Sequence, residues 1–238
     1  NRDAPGTPAR PAVNPRERPP AVKEVELAAI LVSRVCHDLI SPVGALSNGV
    51  EVLADENDPV MRDHAIALIS KSAEQAAAKL KLCRLAYGSM GSAGDQVSLG
   101  EARDALEGFL KDSKTKLDWR APAMLIGKDT VKLAVNLGLA ALDTIPRGGI
   151  LRISAEETPA GLTLTACGDG PMSRITDDLK AALAGEFGLA DLDGRRVQPY
   201  LTGLIARGLG GGVTLAQDGA SVTLSAEVPR RESEAAAA

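Results

Sequence analysis

A chain of 238 residues suffices for one large domain or two small ones, and its 45% hydrophobic and 24% charged content is ordinary for a soluble globular protein. A net charge of −4 and an aromatic content of 2% speak against a nucleic-acid reader, which draws on a basic face and stacking aromatics. Cys36, Cys83 and Cys167 form no CxxC pair, so neither a zinc ribbon nor a disulfide framework is indicated, and a reducing cytosol fits.

With so few aromatics the core must be built from Ala, Leu, Val and Ile, which suits close-packed helices. No signal peptide is visible. The longest apolar run near the start, Ala28 to Val32, is far below the about 20 residues that span a bilayer, so no membrane partner is expected. Residues 1–21 hold prolines at 5, 8, 11, 15, 19 and 20 and almost nothing apolar, and read as a disordered tail.

From Val22 to about Ala54 the pattern is helical. Val25, Val32, Leu39, Leu46 and Leu53 recur every seven residues as a heptad seam. In that register His37 points away from the seam and Pro42 falls on it. Pro42 has no N–H, so the carbonyl of Asp38 loses its helical partner and the helix should bend there. Asp55 to Pro59 is a turn, with Asn57 or Asp58 as N-cap and Pro59 in the first helical turn. A second helix runs to about Tyr87. The two should form an antiparallel hairpin over residues 22–88, which cannot bury both apolar faces alone. A homodimer forming a four-helix bundle is the simplest solution.

A Gly- and Ser-rich linker over 89–97 separates a second domain over 98–229. Ser98 with Glu101 reads as a capping box for a helix to about Ser113. A strand at Thr115–Trp119 and a helix at about Lys128–Thr144 follow. Strands come next at about Gly149–Ala155 and Leu162–Ala166, then helices at about Ile175–Ala184 and Val197–Arg207. A hairpin, Val213–Ala216 and Ser221–Val228, turns at Asp218-Gly219. The fold class is therefore α followed by α/β, a mixed sheet with helices on one face, and residues 230–238 form a short tail.

His37 is one of only two histidines. An imidazole with the ordinary pKa near 6.5 is largely neutral and nucleophilic at pH 7. On the solvent face of a rigid helix it can attack a phosphoryl group held by a docked partner. Asp38 could orient the ring or accept its proton. Folding the hairpin at residues 56–57 puts residue 37 level with residue 76. Lys71 and Lys79 then lie about a turn to either side, able to neutralise a phosphorylated imidazole. A plain surface histidine is the competing reading. His64 reads as solvated surface and Cys36 as helix packing. Lys71, Lys79, Lys81 and Arg84 can equally be a solvated face.

Cys36-His37-Asp38-Leu39-Ile40-Ser41-Pro42 resembles the H-box of sensor histidine kinases, His-Asp/Glu-Leu-x-x-Pro, whose histidine is the phosphoacceptor. The resemblance runs from about residue 22 to 229, and the second domain is similar to the kinases' Bergerat-type ATP-binding domain. It breaks at three nucleotide contacts. In Asn136-Leu137-Gly138-Leu139-Ala140-Ala141, Ala140 stands where the family has a Mg²⁺-binding Asn, and an alanine offers a hard cation no oxygen. In Gly168-Asp169-Gly170-Pro171-Met172, Gly168 stands at the adenine-binding Asp and Met172 at the second glycine. Gln198-Pro199-Tyr200-Leu201 replaces the glycine loop that cradles phosphates. Gly210-Gly211-Gly212 corresponds to the family's Gly-Gly turn before the last hairpin, and the strand ending at Pro229 resembles the family's last one.

A phosphoacceptor without a nucleotide site resembles the ChpT family of alphaproteobacterial histidine phosphotransferases. That resemblance implies a dimeric relay protein that binds no cofactor of its own. Its donor would be the receiver domain of a hybrid histidine kinase, its acceptors response regulators of the cell-cycle circuit, and its Mg²⁺ would come from the receiver. His37 and Asp38 would be the catalytic pair. Arg34, Ser41, Lys71 and Lys79 would line the partner surface in the cytoplasm. An ATP-dependent histidine kinase, a non-catalytic dimeric adaptor, and a phosphatase using Ser41 to position water are the rival expectations.

Overall fold

The computed structural model describes residues 22–88 and 96–230. The expected tails over 1–21 and 231–238, and most of the expected linker, lie outside the described residues. Two long helices come first, α1 (Val22–Asp55) and α2 (Pro59–Tyr87). The turn between them is built as the sequence suggests. Asp58 is the N-cap, its Oδ1 accepting from Val60 N at 3.1 Å, and Pro59 opens α2. Glu56 Oε1 accepts from the N–H groups of Asn57 and Asp58, which holds its carboxyl below the ordinary range. Arg62 Nη1 donates to the carbonyls of Leu53 and Glu56, orphans at the end of α1.

The helices meet closely at Gly49. A Cβ there would lie 2.7 Å from Ile69 Cγ1 and 3.4 Å from Ala65 O, so only glycine allows the approach. The packed seam runs through Val35, Pro42 and Gly49, seven apart, with Leu39, Leu46 and Leu53 beside it. Val25 and Val32, expected on the seam, are instead exposed. They belong with Val43 and Val50 to an open apolar flank. By length and apolar content alone, Glu24–Asp55 would suffice to cross a bilayer, contrary to the expectation from the short apolar run. Its position as one wall of a hairpin, bonded to the second domain through Arg34, accounts for the same composition.

The second domain comprises β1 (Gln96–Ser98), α3 (Gly100–Leu110), β2 (Thr115–Trp119), β3 (Leu125–Gly127), α4 (Lys128–Leu142), β4 (Gly149–Thr158), β5 (Gly161–Asp169), α5 (Asp177–Ala184), α6 (Val197–Gly208), β6 (Val213–Asp218) and β7 (Ser221–Pro229), with one 3-10 turn at Leu189–Asp191. The main sheet has the order β2-β4-β5-β7-β6, with β2 parallel to β4 and every other pair antiparallel. Leu151, Ile153, Leu164, Ala166, Val222, Leu224 and Ala226 alternate onto the face covered by the helices.

Two local expectations are corrected. Ser98 ends β1 instead of capping a helix; its Oγ accepts from Gly100 N and α3 starts only at Gly100. The fifth helix starts at Asp177 rather than Ile175, because Thr176 Oγ1 accepts from Leu179 N as a true N-cap. The pair β1–β3 was not foreseen, since three-residue strands are too short to show alternation.

Helix α4 is buried nearly all round. It lies between the sheet and the helices α2, α3 and α6. Leu82, Leu85 and Ala86 at the end of α2 belong to the same core. Hairpin and α/β domain therefore share one interior.

Candidate functional site

The middle of α1 presents His37 outward, its side chain 85% exposed. Its Nδ1 lies 3.5 Å from Asp38 Oδ1, an electrostatic contact longer than an ordinary hydrogen bond. The other ring nitrogen, Nε2, is thereby the one turned from Asp38. Asp38 is the hub of the turn. Its Oδ2 accepts from Arg34 Nε at 3.3 Å, one turn below on the same face. Its backbone carbonyl, orphaned by Pro42, accepts from Lys79 Nζ at 2.8 Å.

Close packing at Gly49 against Ala65 and Ile69 puts residue 37 level with roughly residues 77–81 of α2. Lys79 is thus beside the site, and a helical side chain leans back toward its own N-terminus, which carries Nζ to Asp38. Lys71 lies about two turns away instead of the expected one. Its Nζ is 3.5 Å from Asp112 Oδ2 at the end of α3, where Gln75 also donates to Asp112, and Lys111 pairs with Glu74 at 2.8 Å. The structure therefore brings together Arg34, His37, Asp38 and Lys79, and engages Lys71 in the seam between hairpin and domain. Ser41 is exposed one turn beyond His37. His64 is exposed near the start of α2.

Arg34 has a second role that the sequence did not reveal. Its Nη1 donates to the carbonyl of Gly194, in the loop before α6. A cavity of about 40 Å³ lies behind the His37 turn, lined by Arg34, Asp38, Lys79, Cys83, Tyr87 and Leu139. Burial pushes the Cys83 thiol up, with the Asp38 charge adding to it, and burial raises the Tyr87 phenol well beyond its ordinary value. Both groups stay neutral beside Asp38 at physiological pH.

The second candidate region, where the resemblance would put a nucleotide, is packed with protein. Asn136 is fully buried; its Nδ2 donates to the carbonyls of Ala86 and Lys132 at 2.8 and 2.9 Å. Gln198 Nε2 donates to Asn136 O and Oδ1 at 2.9 and 3.0 Å and lies 3.1 Å from Thr202 Oγ1. Thr202 Oγ1 donates to Gln198 O. This network cross-links α4, α6 and the end of α2. Ala140 is buried and presents only a methyl group. A Cβ at Gly168 would lie 2.7 Å from both Ala141 O and Thr144 Oγ1, so the position has no room for any side chain, least of all an aspartate. Met172 sits at φ 62°, in the left-handed region that favours glycine. Sequence reasoning missed Gln198 and Thr202 as partners of Asn136. Their i, i+4 spacing was the available signal.

Residues 99–221 match the family described as the histidine phosphotransferase C-terminal domain. The chain is 34% identical over 213 residues to the protein phosphotransferase ChpT of Brucella abortus (strain 2308), covering 88% of this chain and 99% of that one. The chain belongs to the histidine phosphotransferase family. A solved bacterial phosphotransferase structure, 32% identical, superposes with a TM-score of 0.76 over 88% of this chain and 99% of the other. This histidine phosphotransferase thus joins a helical hairpin to an α/β domain, and its reaction is the phosphoryl transfer of a phosphorelay.

Proposed function

We propose that His37 is the phosphoacceptor and that it exchanges phosphate with receiver-domain aspartates, without ATP. The carrying observation is the exposed imidazole whose Nδ1 faces Asp38. A phosphorylated receiver docks over the His37 face, with Arg34, Asp38 and Ser41 beneath it, Lys79 behind Asp38, and part of the receiver's surface against the α/β domain. The Nε2 lone pair of His37 attacks phosphorus in line. The P–O bond to the receiver's aspartate breaks, and that carboxylate leaves with the bonding electrons. The Nδ1 proton stays on the ring, whose new positive charge is balanced by Asp38. A second receiver docks in the same place and reverses the step. The transition state is loose, so positioning and charge supply most of the rate.

The receiver brings the Mg²⁺, and the chain itself takes no nucleotide: Ala140 offers no metal oxygen, Gly168 admits no adenine acceptor, and Gln198 lies where a phosphate loop would be. The partners are the receiver of a hybrid histidine kinase and response regulators of the cell-cycle circuit, met in the cytoplasm without nucleic acid or membrane. The exposed Val25, Val32, Val43 and Val50 of α1 and Ile66 and Leu80 of α2 support a homodimeric four-helix bundle, since such a flank is too apolar to leave in water. Light scattering tests the dimer. The site is tested with a receiver carrying radiolabelled phosphate: His37→Ala should take up no label while keeping its fold, and label transfer surviving that change sinks the reading.

A further inference from the structure

The loss of one hydrogen bond in α1 and the gain of another from α2 occur at the same atom. Pro42 cannot donate to the carbonyl four residues back, and its ring crowds that carbonyl outward. The carbonyl belongs to Asp38, and Lys79 Nζ, partly buried, donates to it at 2.8 Å. Left unpaired, the carbonyl would draw water into the turn and loosen it. Asp38 is also the residue whose two carboxylate oxygens face Arg34 Nε and His37 Nδ1. The ammonium of Lys79 therefore fixes the backbone on which the orienting carboxylate is mounted.

We propose that Lys79 is a positioning residue: by replacing the hydrogen bond that Pro42 removes, it holds Asp38 against Nδ1 of His37 and so keeps the Nε2 lone pair outward for phosphoryl transfer. Proline and lysine then form one device. The proline opens the helix ladder beside the nucleophile, and the lysine closes it from the neighbouring helix. Lys79 acts through Asp38 and not by neutralising the phosphate. The inference rests on His37 being the phosphoacceptor, but the ring tautomer it requires can be read without any transfer.

Lys79→Met keeps the aliphatic stem and removes the donor; Lys79→Arg keeps a donor. Only two histidines occur, so ¹⁵N-histidine labelling of the full chain gives separate ring signals for His37 and His64. In the parent protein the neutral His37 ring should carry its proton on Nδ1. In Lys79→Met it should drift toward the Nε2–H form that a free histidine side chain favours. Single-turnover uptake from a radiolabelled phospho-receiver should fall on the order of tenfold, with receiver affinity changed less than about twofold, because geometry is lost and not contact. Lys79→Arg should restore both readouts.

Pro42→Ala supplies the decisive second arm. It returns an N–H to the ladder, so Asp38 no longer needs the lysine. Pro42→Ala with Lys79→Met should recover the tautomer and the rate, a coupling that independent roles would not produce. This double variant also keeps the test open if Lys79→Met alone fails to fold. The proposal is overturned if Lys79→Met leaves tautomer and rate unchanged, if its defect lies in receiver affinity, or if Pro42→Ala brings no rescue. Label transfer surviving His37→Ala would instead remove the phosphoacceptor reading, leaving the tautomer result to stand on its own.

Discussion

The turn around His37 and the seam between α4 and α6 both gather polar side chains, and they are built on opposite principles. In the turn, polar groups are held at the surface: His37 is exposed, and Arg34 and Lys79 steady Asp38 from two sides. In the seam, the polar groups turn inward, and Asn136, Gln198 and Thr202 bond to one another in the interior, with Gln198 Oε1 alone of their side-chain atoms left without a protein partner. A buried polar network is costly when half satisfied, so opening this one to admit a ligand means breaking bonds worth keeping. The turn leaves its imidazole open to solvent, and the seam uses its polar groups to hold helices together.

Changes in the seam should therefore register in stability rather than in transfer. The largest effect is expected for Gly168→Asp, which drives a side chain into Ala141 O and Thr144 Oγ1. A loss of roughly 3 kcal/mol or more should appear in urea unfolding, with no nucleotide binding gained. Gln198→Ala strands Asn136 Oδ1 in the core and should cost about 2 kcal/mol, while single-turnover transfer per folded molecule stays near the parent value. A transfer defect as deep as that of Lys79→Met would erase the distinction between the two regions.

Met172→Gly should move stability the other way, by about 1 kcal/mol, because it relieves a side chain from the left-handed region. The smallest effect belongs to the hairpin turn. The Asn57 and Asp58 N–H groups lower the Glu56 pKa in the fold, so its contribution is present above the unfolded value of 4.5 and is lost as pH falls through the folded one. Glu56→Gln should lower the thermal midpoint slightly at pH 7 and make less difference in acid. An equal effect at both pH values would assign the loss to shape and not to charge.

Much of this was legible in the chain. Heptad spacing and Asp58-Pro59 marked the hairpin, and Asp218-Gly219 marked the last turn, because these signals act between neighbours. The missing donor at Pro42 was equally plain. What replaced it was not, since the reach of Lys79 depends on how deeply Gly49 lets the helices approach and on the backward lean of helical side chains. Lys71 was expected beside the histidine for the same reason, and a shift of about one turn sends it to Asp112 instead. The bond from Gln198 to Asn136 spans 62 residues and could be seen only once α4 and α6 were packed together.

On the reading proposed above, phosphate reaches His37 from a receiver and not from ATP. The direct measurement offers the protein radiolabelled ATP with Mg²⁺ in one reaction and a radiolabelled phospho-receiver in another. Label is expected only from the receiver, in an acid-labile, base-stable form that His37→Ala abolishes. Label taken from ATP by the protein alone would contradict it.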